Sequence, residues 1–162
     1  MKKVKGSPQP FGAVVRGNRV NFAVQVPQGK ICELLLYRAG RTLPEQCFEM
    51  AEEDGIGEVR FLAIDDIDAE KYEYNYRIGE KVCVDPYVRE IAGKEHFGQK
   101  KDIQKHQVRG KLVSEEYDWN GDRRLHLPWN EVVAYSLHDR GFTKHSSSKA
   151  APKGSFQGVI EK

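Results

Sequence analysis

From Phe11 to Val84, apolar residues recur at every second position in short runs, and each run stops at a glycine, a proline or an acidic turn. Val20, Phe22, Val24 and Val26 alternate with Asn21, Ala23 and Gln25. Tyr72, Tyr74, Tyr76 and Ile78 alternate with Glu73, Asn75 and Arg77. A period of two sends alternate side chains to opposite faces of an extended strand, which is how a half-buried strand reads. About seven such strands follow at roughly ten-residue spacing, with no helical period between them. A chain patterned this way has few choices. Its strands pair antiparallel and bury their apolar faces against a second sheet, so the fold class is mainly β, an antiparallel β-sandwich.

The turns carry their own chemistry. Gly17-Asn18-Arg19 supplies the positive φ that a tight hairpin needs. Pro27-Gln28-Gly29 ends the next strand. Residues 31–37 are almost continuously apolar, which predicts a central strand covered on both faces. Ala39-Gly40-Arg41 turns the chain. Strands are expected over 47–50 and 59–64, either side of the loop 52–55. Gly79-Glu80 is a two-residue hairpin turn with glycine first, and 82–84 returns from it. Asp85-Pro86-Tyr87 closes the last strand, with Asp suited to cap a turn and Pro to open it. Residues 88–118 are polar and read as a connector with one short strand over 108–113. Residues 132–137 break the pattern. They are apolar on both faces, as a buried parallel strand must be. Residues 144–155 read as a loop and 156–162 as the opening of a helix.

The charges exclude several classes of partner. Lys and Arg number 26 and Asp and Glu 24, a net charge of +2, which makes no field for nucleic acid or an anionic membrane. The acidic stretch 49–68 and the basic stretch 94–111 read as solvated faces. No apolar run reaches the roughly 20 residues of a membrane span. The basic N-terminus, Met1-Lys2-Lys3-Val4-Lys5-Gly6, is not followed by the apolar core of a secretory signal. Cys32, Cys47 and Cys83 form an odd set without CxxC spacing, which suits reduced thiols in a cytoplasmic protein.

Catalytic and metal constellations are thin. Ser136, His138 and Asp139 are the letters of a triad, but strand alternation sends Asp139 to the face opposite the other two. His96, His106, His126, His138 and His145 lack ligand spacing. Asp65, Asp66 and Asp68 lie in a turn without the glycine and distal glutamate of a calcium loop. No metal and no cofactor is expected. The Tyr72-Tyr74-Tyr76 stripe is read as core rather than as a sugar platform, since one face of a sandwich strand is buried.

Several motifs together resemble the isoamylase, pullulanase and glycogen-debranching branch of the α-amylase superfamily. Phe11-Gly12-Ala13 and Asn21-Phe22-Ala23-Val24 resemble its first two strands. Gly55-Ile56-Gly57-Glu58-Val59 resembles its glycine turn, and Tyr72-Glu73-Tyr74 with Val84-Asp85-Pro86-Tyr87 its final hairpin and exit. Ile91-Ala92-Gly93, Phe97-Gly98, Tyr117-Asp118-Trp119, Asp122-Arg123, Pro128-Trp129 and the run from Tyr135 to Phe142 resemble the path into its barrel. The chain departs from the pattern at Gln25, where the family usually has Trp, and at Arg60, where an aromatic commonly stands. Ser136 and Asp139 also differ from the usual residues.

The resemblance implies an immunoglobulin-like, early-set sandwich over 1–86, an extended linker over 87–130, and over 131–162 the incomplete start of a (β/α)8 barrel. It implies a parent hydrolase acting on α-1,6 branch linkages of glycogen, starch or pullulan. The carboxylates of such chemistry sit on later barrel strands, so none is expected here and the chain alone is expected to be inactive. His138 and Arg140 would fall at the carboxyl end of the first barrel strand, where substrate is met in a completed barrel. The implied partners are α-glucan, through the missing barrel, and the chain's own catalytic domain. The alternative is a free-standing glucan-binding or regulatory module. That class displays aromatics on the sandwich, and Trp119 and Trp129 both lie beyond it.

Overall fold

The computed structural model describes residues 1–96, 98–102, 107–114 and 118–162. Phe97, His106 and Tyr117, named above, lie outside the described residues. The chain forms two units, Met1–Asp118 and Trp119–Lys162.

The first unit is two antiparallel sheets. One is built from β1 (Lys2–Val4), β2 (Gly12–Arg16), β3 (Arg19–Gln25) and β6 (Val59–Asp65), in the order β1-β6-β3-β2. The other is built from β4 (Cys32–Arg38), β5 (Gln46–Glu49), β7 (Tyr72–Ile78), β8 (Lys81–Cys83), β9 (Ile91–Ala92) and β10 (Arg109–Lys111). Its order is β5-β4-β7-β10-β9, with β8 also on β7. The hairpins form where the turn residues predicted them. Arg16 faces Arg19 across Gly17-Asn18, and Ile78 faces Lys81 across Gly79-Glu80. The core lies between the sheets: Val20, Phe22, Val24, Leu62 and Ile64 from one, and Leu34, Leu36, Tyr74 and Tyr76 from the other. Burial of each large side chain contributes about 1.5–3 kcal/mol, so this layer outweighs any local propensity in holding the fold.

Two strands join the second sheet from the stretch read as a connector: β10 lies within the short strand expected over 108–113, and β9 is not foreshadowed. The far edge of β7 is shared: Tyr76 to Ile78 pair with β8, and Glu73 and Tyr74 with β10. β10 then pairs with β9 through Arg109–Ala92 and Gly110–Ile91. The sheet thus continues past residue 86. Gly110 makes this possible. A Cβ there would lie 2.5 Å from Cε1 of the buried Tyr74 ring.

The second unit is different in kind. It holds a 3-10 turn at Trp129–Glu131 and two short helices, α1 (Asp139–Lys144) and α2 (Phe156–Ile160). The helix expected from residue 156 and the loop before it are present. The buried parallel strand expected over 132–137 is not: those residues form no ladder among the described residues, and Val133 and Tyr135 are 76% and 88% exposed. A strand covered on both faces needs paired neighbours, and the described residues of this unit supply none.

Candidate functional site

The turn that leaves β8 organises one end of the sandwich. Asp85 is buried, and its Oδ2 accepts a hydrogen bond from the Tyr74 hydroxyl at 2.8 Å. Its Oδ1 accepts the Tyr87 backbone N–H, also at 2.8 Å. Burial raises the Asp85 carboxyl above the usual carboxylate range, while these donors pull the other way. Burial first, and then the same carboxylate, raises the phenols of Tyr74 and Tyr76 well above their ordinary value. The Tyr76 hydroxyl faces Asp85 outside normal hydrogen-bond geometry. Tyr74 packs edge-on against Phe22 and Tyr76, with centroids 5.3 and 5.7 Å away. The tyrosine stripe is therefore core, as its alternation predicts.

Tyr87 points the other way. Asp85 fixes its backbone, and the chain here passes hard against the start of β2. Gly12 has φ +89°, and a Cβ on it would stand 3.1 Å from both Cβ and O of Tyr87. Tyr87 is 53% exposed, and its ring stacks on Phe11, with centroids 5.0 Å apart and planes 21° from parallel. Beside it runs an open groove of about 410 Å³, lined by Val24, Gln25, Pro27, Glu58, Pro86 and Tyr87. Gln25 Nε2 donates to Glu58 Oε2 at 2.9 Å across it. Strand and turn patterns do not reveal this pair, because Phe11 reads as strand and Tyr87 as turn. The signal is the Asp85-Pro86-Tyr87 turn itself, whose cap directs the ring outward.

Two buried cations hold structure. Arg60 is fully buried on the core side of β6, in line with Leu62 and Ile64. Its Nη1 donates to Gly57 O at 2.6 Å, and its Nη2 lies 2.8 Å from Glu52 Oε1. It ties the acidic loop to the end of the core, where the resembling family has an aromatic. On the outer face of the second sheet, Arg109 pairs with Glu73 at 3.3 Å and lies 3.9 Å above the Tyr37 ring. It also donates to the carbonyls of Arg41 and Thr42, which fastens β10 to the loop after β4. The three cysteines are free. Burial pushes the Cys32 thiol up to about 12, the opposite of what a nucleophile needs.

The substrate-binding residues expected in the second unit, His138 and Arg140, do not stand at a strand end. His138 caps α1, its Nδ1 accepting the Gly141 N–H at 3.3 Å, and Arg140 lies within the helix. Thr143 is buried between the helices and accepts the Gly154 N–H at 2.7 Å. Ser136 and Asp139 flank His138 along the chain, and His138 Nδ1, accepting the Gly141 N–H, does not donate to a carboxylate as the histidine of a triad does. Among the described residues no group of three or more His, Cys, Asp or Glu could hold a metal ion. Among them, too, no helix is long and apolar enough to cross a membrane.

No family model matches the chain. Curated proteins do. Isoamylase 1, chloroplastic, of Arabidopsis thaliana is 29% identical over 177 residues, covering 97% of this chain and 23% of that protein. The glycogen debranching enzyme of Dickeya chrysanthemi is 27% identical over 176 residues, covering 93% of this chain and 26% of that protein. Among solved structures, apo pullulanase from Paenibacillus barengoltzii matches with a TM-score of 0.74 at 21% identity. The match covers 96% of this chain and 23% of that one, and it speaks for the fold. The same enzyme in complex with maltohexaose and alpha-cyclodextrin matches with a TM-score of 0.73 at 22% identity, covering 98% of this chain and 24% of that one. The chain spans about a quarter of the length of the curated relatives it matches. Over nearly all of its own length, the chain is similar in sequence to isoamylase and glycogen debranching enzymes, and in fold to a pullulanase.

Proposed function

We propose that the chain is the N-terminal accessory portion of an α-glucan debranching hydrolase that acts on α-1,6 linkages of glycogen, starch or pullulan. In this reading the first unit is an immunoglobulin-like, early-set sandwich that supports its own catalytic domain. The second unit is the entry to a (β/α)8 barrel whose remaining strands carry the chemistry. The observation that carries the reading is the coverage: 97% of this chain aligns with 23% of a full-length isoamylase. The exposed apolar side chains of 132–137 support it, because a barrel is the cover such a segment fits. Hydrolysis of a glycosidic bond needs two carboxylates facing each other across it, and in this reading both belong to the later strands. His138 and Arg140 meet substrate only once those strands are in place. The free thiols suit a reducing compartment, and the proposed location is cytoplasmic.

The test is to translate the reading frame beyond Lys162 and assay both proteins on pullulan. Reducing-sugar release is expected from the longer protein alone. Release by the 162-residue chain itself, or a frame that adds no further barrel strands, overturns the proposal.

A further inference from the structure

We propose that the groove between residues 5–10 and the outer face of the β2–β3 hairpin binds phosphate, either inorganic phosphate or the phosphate group of a small ester. The inference does not draw on the debranching reading. It stands on the walls of the groove, its charge and the pairing of the hairpin.

The walls are fixed. Gly6 lies so close to β6 that a Cβ added to it would stand 2.5 Å from the Leu62 carbonyl carbon. The Ser7 N–H donates to Asn21 Oδ1 at 2.7 Å, and Asn21 Nδ2 donates to Ser7 O at 3.0 Å. Arg19 Nη2 adds a third tie, to Lys5 O at 2.9 Å. Asn21 alternates with the core residues Val20 and Phe22, so these ties hold residues 5–10 on the side of the sheet away from the core. Between them and the hairpin lies a groove of about 390 Å³, whose polar lining is Lys5, Ser7, Gln9, Arg16, Arg19 and Asn21.

Its lining residues include three cations and no carboxylate. Arg16 and Arg19 stand directly opposite each other across the hairpin, so both side chains leave the same face. Like charges in that position destabilise a strand pair. Asp65 neutralises part of this, with its Oδ1 3.5 Å from Arg19 Nε. Among the described residues, no ion pair engages Arg16 or Lys5. Three cations against one carboxylate leave two positive charges in excess.

An anion between the arginines removes the cost of setting them side by side. Phosphate matches the charge excess, and each guanidinium presents paired N–H donors that fit two phosphate oxygens. Lys5 adds a point charge. Ser7 and Gln9 supply hydrogen-bonding groups for the hydroxylated body of a small ester. The volume lies in the range of small-ligand sites, roughly 300–1,000 Å³. A nucleic-acid strand needs a longer row of cations than this one groove holds.

The test is calorimetric titration of the 162-residue chain with sodium phosphate and with glucose 6-phosphate, and with glucose as the uncharged control. Saturable binding of phosphate or its ester is expected, weakening as salt is added, and none of glucose. Tighter binding of the ester assigns the site to a small organic phosphate, and equal affinity assigns it to the free ion. Arg16→Gln should weaken binding about tenfold, the scale of a lost charged hydrogen bond. Its urea midpoint should be unchanged or raised, because the like-charge pair is gone. Lys30→Gln makes the same charge change in the turn beyond the far end of β3 and should bind like the unmodified chain. Absence of saturable binding by both phosphates, or equal weakening in Arg16→Gln and Lys30→Gln, overturns the inference.

Discussion

Asp85 concentrates the residue-scale physics of this protein. Its carboxyl is buried, and its folded pKa is raised by desolvation against the pull of two donors. A raised pKa means that the folded state favours the protonated form. The contribution is complete below the unfolded value, about 3.9, and is lost as pH rises through the higher folded value. Asp85→Asn removes the titration. The stability of the unmodified chain minus that of Asp85→Asn should therefore be larger near about pH 3.5 than near about pH 7, as read from urea midpoints. A larger difference at neutral pH would contradict this.

Arg60 gives a second residue-scale prediction. Its stem fills core volume while its Glu52 partner is exposed. Arg60→Ala should cost about 2–4 kcal/mol through cavity and lost hydrogen bonding. Glu52→Ala should cost less than about 1 kcal/mol, because solvent screens that partner. Equal losses in urea denaturation would mean that the charge pair, not the packing, dominates. From sequence, Arg60 is visible as a departure from the family pattern. Its anchoring of the acidic loop is not visible there, because that depends on where Gly57 and Glu52 sit in space. Tyr72, Tyr74 and Tyr76 are legible as core because alternation alone assigns their face.

At the scale of elements, legibility follows how each strand is held. β3, β4, β6 and β7 announce themselves by apolar pattern, since burial is what stabilises them. β1 is Lys-Lys-Val and β10 is Arg-Gly-Lys. Each is held by pairing with an edge already in place, and β10 further by the Arg109 contacts; β1 carries no apolar signature, and β10 is legible only as the short strand expected over 108–113. The opposite happens at 132–137, where the pattern asks for neighbours that the described residues do not supply. Local pattern reports what a segment can bury, not whether a partner is present.

Two glycines test the element scale in opposite directions. Gly110→Ala drives a methyl into the Tyr74 ring and should destabilise by about 1–3 kcal/mol. Gly141 sits inside α1 with negative φ, and a methyl group added to it would meet His138 Nδ1 at 3.9 Å, an ordinary contact. Gly141→Ala should leave the sandwich unchanged and raise helix content, by up to about 1 kcal/mol of local stability. Urea denaturation reads the first, and far-ultraviolet circular dichroism the second. A neutral Gly110→Ala would mean that β10 is not seated on Tyr74 in solution.

For the whole molecule, the two units differ in what they can bury. Met1–Asp118 closes a core between two sheets. Trp119–Lys162 leaves Trp129 90% exposed, and Leu125, Val133, Tyr135, Phe156 and Ile160 are exposed as well. If the chain is the leading part of a barrel enzyme, that surface and the open backbone of 132–137 are completed by the remaining strands. Amide hydrogen exchange reads this most directly, on the 162-residue chain shown to be monomeric and on the protein extended beyond Lys162. In the short chain, the amides of 132–137 should exchange far faster than those of β4, and in the extended protein they should become comparably slow. Amides of 132–137 as slow as those of β4 in the monomeric short chain would contradict the assignment, because the segment would then already have its native partner.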